Sequence, residues 1–548
     1  MLSSLAVFSS VAVALAASSP TVTVKNGTLQ GSHSAQWDQD FFLGIPYAQP
    51  PVGPLRFRWP QSIDTAYDAT RDATQYGYSC YQYSSSFNLS EDCLNLNVVR
   101  PAGYENQTLP VLLWIFGGGL TVGSTADPQY NISGIVKTAS ASGQPFIGVS
   151  INYRLGVWGF LQDPSILAEG STNAGLLDQR MAMRWVHENI AAFGGDASRV
   201  TIWGESAGAQ SIGLHLHSYG GRNDDLYQAA ILESGGPVGT NLSPLSFYAS
   251  PFENLTRTVG CWFTAASNRL PCLRNLTSTQ LFHANYTQVW NPIVDGDFLT
   301  AYPSTLAAAG KFVHVPLLTG ANTDEGVSFS TKGLDNSTAI FNNLLYWRSY
   351  ALSPPSIRTL LDLYPNNPSI EPPYRDHTNT TYPKNGLEWR RDAAIGGDLV
   401  IIAQRRKTAE EFVKGGVSNV YTYRFDTPLW NVSAPVSVPH FVNVVFSFQN
   451  ISGALGPLPE YQSYKNLATS IGRAYASFVS THQPNGPLRG GGGYGAGTKV
   501  TGLPTWPKYS IEAPANMVLN ANGSFVEADT WRREGIAFIN SISRELLA

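Results

Sequence analysis

Charge is scarce in this chain: Asp, Glu, Lys and Arg together make 14% of 548 residues, and the formal net charge is −4. Nothing in that balance supplies the basic footprint that nucleic acid or an anionic lipid surface requires, so neither is an expected partner. Cysteine is scarce too, with four residues and no C-x-x-C. That spacing rules against structural zinc and thioredoxin chemistry. Beyond the first residues no apolar run is long enough to cross a bilayer, which excludes integral membrane association. No internal repeat is visible. One low-complexity segment, "RGGGGYGAG" from Arg489 to Gly497, has no strand leading into it and no Lys-[ST] after it. It reads as a surface loop, not a phosphate cradle.

What is present begins with "MLSSLAVFSSVAVALAASSP", apolar from Leu5 to Ala16 and followed by small residues in an A-x-A spacing. Despite the missing basic start, residues 1–17 read as a secretory signal and residues 18–548 as a single secreted domain. Export suits the cysteines, which fall in two close pairs. Of three possible connectivities the local one, Cys80 with Cys93 and Cys261 with Cys272, is expected, each bridge worth roughly 2–3 kcal/mol. Sequons begin at Asn26, Asn88, Asn106, Asn131, Asn241, Asn254, Asn275, Asn285, Asn336, Asn379, Asn431, Asn450 and Asn522. Such a spread on an exported chain points to a glycosylated surface, with Pro244 weighing against Asn241.

Short β-rich apolar runs recur at Val111 to Phe116, Phe146 to Tyr153, Val200 to Trp203, Ala229 to Leu232, Val315 to Leu318 and Val420 to Phe425. Helical patterns separate several of them, clearest in "NAGLLDQRMAMRWVHENIAAF". The alternation predicts an α/β fold with a mostly parallel sheet and helices on both faces. Sites in such sheets form beyond the carboxyl ends of the strands.

One such end carries "TIWGESAGAQS", with Ser206 between Gly204 and Gly208. The G-x-S-x-G pattern occurs by chance roughly 0.3 times in a chain of this size. Its setting, between an apolar strand and a helix-compatible stretch, is that of a nucleophile elbow. Serine needs a base to take its proton. Downstream stand His215, His217, His283, His314, His377, His440 and His482. The first two ride the helix after Ser206 and read as surface or packing residues. His440 follows the Val420 to Phe425 strand by one loop and can lie over the sheet edge. Between them "VPLLTGANTDEGVSF" offers two acids, Asp324 and Glu325, either of which could orient an imidazole. "VLLWIFGGGLTVGS" runs a strand into Gly117, Gly118 and Gly119, whose N–H groups are free to approach an oxyanion.

The segments "YAQPPVGPLRFRWP", "SEDCLNLNV", "WIFGGG", "NYRLGVWGF", "NAGLLDQRMAMRWVHENIAAFGGDASRVTIWGESAG", "LESGGP" and "TDEG" occur in this order. Through them the chain resembles the type-B carboxylesterase/lipase family over residues 21 to 545, and secreted fungal members most closely. The resemblance implies the α/β-hydrolase fold and a serine ester hydrolase without metal or organic cofactor. It puts the nucleophile on Ser206, the acid on Glu325 and the base on His440. It puts the oxyanion donors on Gly118, Gly119 and Ala207, and the family's two disulfides on the local cysteine pairs. Glu205 and Ser234 match positions that support the histidine in relatives. One departure stands out: the family's glycine after the histidine is Phe441 here, and its acid three positions on is Asn443.

The substrate this implies is a small-molecule ester. The loop "CYQYSSSFNLSEDC" lacks the tryptophan that relatives use for choline esters and is too short and polar for a lipase flap. Soluble esters of short to medium acyl chains or a specialised metabolite ester are expected, with long-chain lipid or sterol esters the alternative. A non-catalytic binding ectodomain on the same fold is the competing class; such members typically lose the nucleophile.

Overall fold

The computed structural model describes residues 19–83, 86–237, 239, 241–284, 288–375, 382–428, 437–450, 461–485 and 502–548. The expected signal segment 1–17, the glycine run 489–497, His377 and the sequons at Asn285, Asn379 and Asn431 lie outside the described residues.

Each apolar run expected as a strand lies in one eleven-stranded sheet. Its strands are β1 (Ser32–Ser34), β2 (Gln39–Pro46), β3 (Asn95–Pro101), β4 (Leu109–Ile115), β5 (Ile147–Ile151), β6 (Gly195–Glu205), β7 (Ala229–Glu233), β8 (Leu317–Asn322), β9 (Val420–Phe425), β10 (Ala515–Leu519) and β11 (Phe525–Ala528). The spatial order is β1-β2-β3-β5-β4-β6-β7-β8-β9-β10-β11. From β5 to β10 every neighbouring pair is parallel, and the pairings beyond β5 and β10 are antiparallel. Strands β4, β5, β7 and β8 are buried at every residue. That is why their sequences show apolar stretches and not a strict apolar–polar alternation.

Two helices show how both faces are covered. Trp203 meets Tyr475 of α4 (Gln462–Thr481), with ring centroids 6.1 Å apart. The next residue, Gly204, lies against Gly208 and Ala209 of α2 (Ala207–His217). Successive strand residues point to opposite faces, so α4 and α2 lie on opposite sides of β6. The predicted long helix is α1 (Ala174–Asn189), ended by a 3-10 turn at Ile190–Phe193. Helix α3 (Ala403–Lys414) carries two buried arginines toward the β10–β11 end.

Both disulfides join the expected partners, Cys80 to Cys93 and Cys261 to Cys272. Among the described residues no helix is long and apolar enough to cross a membrane.

The fold corrects two of the expected glycosylation sites. Asn26 and Asn241 are buried, and the side-chain nitrogen that would carry the sugar is already engaged. Asn26 Nδ2 donates to the carbonyls of Ile63 and Thr65 at 2.9 Å each, and Asn241 Nδ2 to that of Arg348 at 2.7 Å. By contrast Asn88, Asn106, Asn254, Asn275, Asn336 and Asn522 are exposed, while Asn131 and Asn450 are half-buried.

Candidate active site

The carboxyl ends of β6, β7 and β8 lie side by side, and the chain leaves them through Ser206, Ser234 and the Asp324–Glu325 turn. Ser206 adopts φ 54° and ψ −124°, a conformation L-residues rarely take. It holds because both flanks are pinned. A Cβ on Gly208 would lie 2.1 Å from the Ile115 carbonyl oxygen, and one on Gly204 would lie 2.7 Å from the Gly208 carbonyl carbon. Only glycine lets helix and strand close to this distance.

His440 arrives from the loop after β9 and bridges the two other expected residues. Its Nε2 is 2.8 Å from Ser206 Oγ, and its Nδ1 is 2.6 Å from Glu325 Oε2. With Nδ1–H donating to the carboxylate, Nε2 is left as the acceptor facing the serine hydroxyl. Glu325 is buried, and its other oxygen accepts from Ser234 Oγ and the Asn322 N–H, both at 2.6 Å.

The sequence left Asp324 and Glu325 open, and the geometry separates them. Asp324 faces away from the imidazole and braces the loop that delivers it. Its Oδ2 accepts from the Val438 N–H at 2.7 Å, while its own N–H donates to the Val438 carbonyl at 3.0 Å. Burial raises its pKa to about 7, against the pull of the Val438 hydrogen bond.

Glu205, the strand residue before Ser206, places Oε1 3.3 Å from His440 Nε2. Both its oxygens are buried without a hydrogen-bond partner among the described residues. Burial, reinforced by Glu325 and Glu233 and opposed by His440, raises its pKa to about 8. For His440 burial works downward, but the Glu205 and Glu325 carboxylates outweigh it and lift the imidazole to about 9. A negative charge on Glu205 and a positive one on His440 stabilise each other.

Asn443, where relatives carry an acid, has its own task. Its Nδ2 donates to Glu233 Oε2 at 3.1 Å and its Oδ1 accepts from Asn322 Nδ2 at 3.0 Å, tying the histidine loop to β7 and β8. Ser447 and Tyr475 also donate to Glu233. The sequence reading missed Glu233 and Asn322, because neither stands in a catalytic motif. Phe441, in the family's glycine position, sits at φ 79°. The backbone thus keeps the left-handed conformation that glycine would take freely.

The glycine run ends β4 beside Ser206. Gly118 and Gly119 have φ of 95° and 64°, and a Cβ on Gly118 would lie 2.1 Å from the Val122 carbonyl oxygen. The N–H groups of Gly118, Gly119 and Ala207 have no acceptor among the described residues. They are therefore available to an oxyanion.

Two histidines of the helix after Ser206 have packing roles of their own. His215 and His217 are fully buried, so the surface alternative for them does not hold. His215 Nε2 meets Gln179 Oε1 at 3.0 Å and His217 Nδ1 accompanies the Gly213 carbonyl at 2.8 Å. Burial, helped at His215 by Arg180, lowers them to about 3 and about 4. His482 ends α4.

A profile of the carboxylesterase family matches residues 18–535. "Secreted lipase 1" of Botryotinia fuckeliana (strain B05.10) is 34% identical over 95% of this chain and 93% of its own length. Among solved structures, Aspergillus niger EstA superimposes with a TM-score of 0.84 at 27% identity, covering 97% of this chain and 99% of that one. The Geobacillus stearothermophilus carboxylesterase EST55, at pH 6.2, gives 0.75 at 28% identity over 94% and 99%. The match spans nearly the whole length in sequence and in structure: the chain belongs to the carboxylesterase family and is a carboxylic ester hydrolase on the α/β-hydrolase fold.

Proposed function

We propose that the chain is a secreted serine esterase working through Ser206, His440 and Glu325. The observation that carries this reading is the single imidazole bridging hydroxyl and carboxylate at 2.8 and 2.6 Å. Ser206 Oγ attacks the ester carbonyl while His440 Nε2 takes its proton. Glu325 fixes the tautomer and stabilises the imidazolium, and Ser234 and the Asn322 N–H hold Glu325 in place. The N–H groups of Gly118, Gly119 and Ala207 receive the oxyanion, each worth roughly 3–4 kcal/mol in the transition state. His440 then returns the proton to the leaving alcohol, and water hydrolyses the acyl-enzyme by the same route. Reaction with an organophosphonate tests this: one adduct should form, and peptide mapping should put it on Ser206. An adduct elsewhere, or none, overturns the reading.

The pH dependence follows from the charges around His440. Only neutral imidazole accepts the serine proton, so kcat/KM should rise with pH through the free-enzyme pKa of His440. That pKa is raised by Glu205 and Glu325, so the rise should lie above the ~6.5 of an unperturbed histidine. Glu205→Gln removes one of the two carboxylates and should move the acid limb to lower pH. Profiles from pH 5 to 10 for both proteins decide it; a limb that stays put or moves upward refutes the electrostatic role of Glu205.

We take the substrates to be soluble esters of short to medium acyl chains. The twelve residues between Cys80 and Cys93 are too few and too polar to form a broad apolar face for a lipid interface. The name of the B. fuckeliana relative supports the second reading, a lipase. Rates for tributyrin measured across its solubility limit should show no jump, and chromogenic esters should peak below long chain lengths. A sharp rise when droplets form would establish the lipase.

A further inference from the structure

We propose that Arg348 selects esters carrying a negative charge away from the scissile bond, by meeting that charge in the cavity beside the oxyanion loop. This rests on the active-site reading above. The cavity, of about 250 Å³, starts at Gly119 and Leu120 and continues along Gln210, one helical turn beyond Ser206. Asn241, Asn291 and Arg348 form further parts of its wall, and among the described residues no Asp or Glu lines it. A long alkyl chain placed there would have to cover the Gln210 and Asn291 amides without satisfying them, which is costly.

Arg348 is the one charged residue among the described residues of that lining. Among the described residues no carboxylate pairs with it. Its guanidinium carbon lies 5.7 Å from the Phe329 ring centroid and 5.9 Å from that of Trp347. The Phe329 ring in turn lies 4.9 Å from the His440 imidazole, so one aromatic ring separates the cation from the reacting centre.

The backbone there is held in an unfavourable shape. Arg348 and Ser349 are consecutive non-glycine residues at φ 52° and 56°. The Arg348 carbonyl accepts from the buried Asn241 amide at 2.7 Å, and Asn241 Oδ1 accepts from Ser243 Oγ at 2.7 Å. A residue that only needed solvent would not require such a brace. Arg348 itself is exposed at the cavity mouth, which limits the gain to about tenfold.

The test compares kcat/KM for charged and neutral esters within each protein. The charge is carried on the acyl side in monomethyl adipate, against dimethyl adipate. It is carried on the alcohol side in the acetate ester of 4-hydroxybutyrate, against butyl acetate. In the wild type at least one charged ester should exceed its neutral partner by about tenfold, mainly through KM, and the ratio should shrink as salt rises from 20 to 500 mM. Arg348→Gln should bring that ratio near one, Arg348→Glu should bring it below one, and Arg348→Lys should keep most of it. A wild-type ratio at or below one in both arms, with the neutral esters hydrolysed, overturns the proposal, as does a ratio that Arg348→Gln leaves in place. If none of the four esters turns over and no organophosphonate adduct forms, the active-site reading falls and this proposal with it.

Discussion

Ser206→Ala is expected to reduce ester turnover by at least ~10³-fold while leaving the fold intact, because nucleophile, base and oxyanion donors act as a unit. The substitution removes one oxygen, and alanine meets the same φ of 54° that serine already tolerates. Backbone strain is therefore unchanged, and the loss falls on the chemistry. His440→Ala should cost about as much, since among the described residues His440 Nε2 is the base within hydrogen-bond distance of Ser206 Oγ. His215→Ala and His217→Ala should act differently: each empties a buried site and breaks a hydrogen bond, lowering stability while the folded fraction keeps its turnover. Initial rates on a chromogenic acetate, normalised to folded protein by circular dichroism, separate the cases. Retention of most activity by His440→Ala would end the triad assignment.

The site was legible where chemistry forces sequence. Gly204 and Gly208 are required by contacts of 2.1 to 2.7 Å that no side chain survives, so the elbow shows itself as a pattern. Strands β4, β5, β7 and β8 are buried on both faces and announce themselves by their apolar stretches. Choosing Glu325 over Asp324 needed the family resemblance, because both are buried acids on one turn and only three-dimensional placement sets one toward His440 and the other toward Val438. Asn443 and Phe441 looked like defects in the histidine motif. In space Asn443 bonds to Glu233 and Asn322, and Phe441 packs 6.2 Å from the Tyr130 ring. Such exchanges are invisible in sequence because the compensating partners lie about 120 and 210 positions away. Arg348 was equally silent: nothing local marks an arginine whose surroundings come from Asn241, Phe329 and the turn after Ser206.

The largest expected effect on stability lies away from the site, at Asp529. Its carboxylate takes a bidentate pair from Arg405 at 2.7 and 2.8 Å, further bonds from Arg406 at 2.8 and 3.2 Å, and the Tyr509 hydroxyl at 3.0 Å. All three charged groups are buried, so this anion anchors α3 to the β10–β11 end of the sheet, beside the bonds from Arg405 to Asn516 and from Arg406 to the Trp531 carbonyl. Asp529→Asn keeps the shape but leaves two buried guanidinium groups sharing a neutral amide. Breaking a buried pair from one side costs about 3–5 kcal/mol, a large part of the ~5–15 kcal/mol that separates folded from unfolded chains. Against the burial that would raise it, the two arginines hold the Asp529 pKa far below the usual carboxylate range. Because the folded value is depressed, the stabilisation is complete above the unfolded pKa of ~3.9 and declines as pH falls below it. Thermal unfolding should therefore show the variant melting several degrees lower at pH 7, with the gap narrowing below about pH 4. Glu253→Gln, which breaks the exposed pair with Arg257, should shift the midpoint little. If Asp529→Asn melted with the wild type at pH 7, or if the gap widened in acid, this anion would not be what fastens α3 to the sheet.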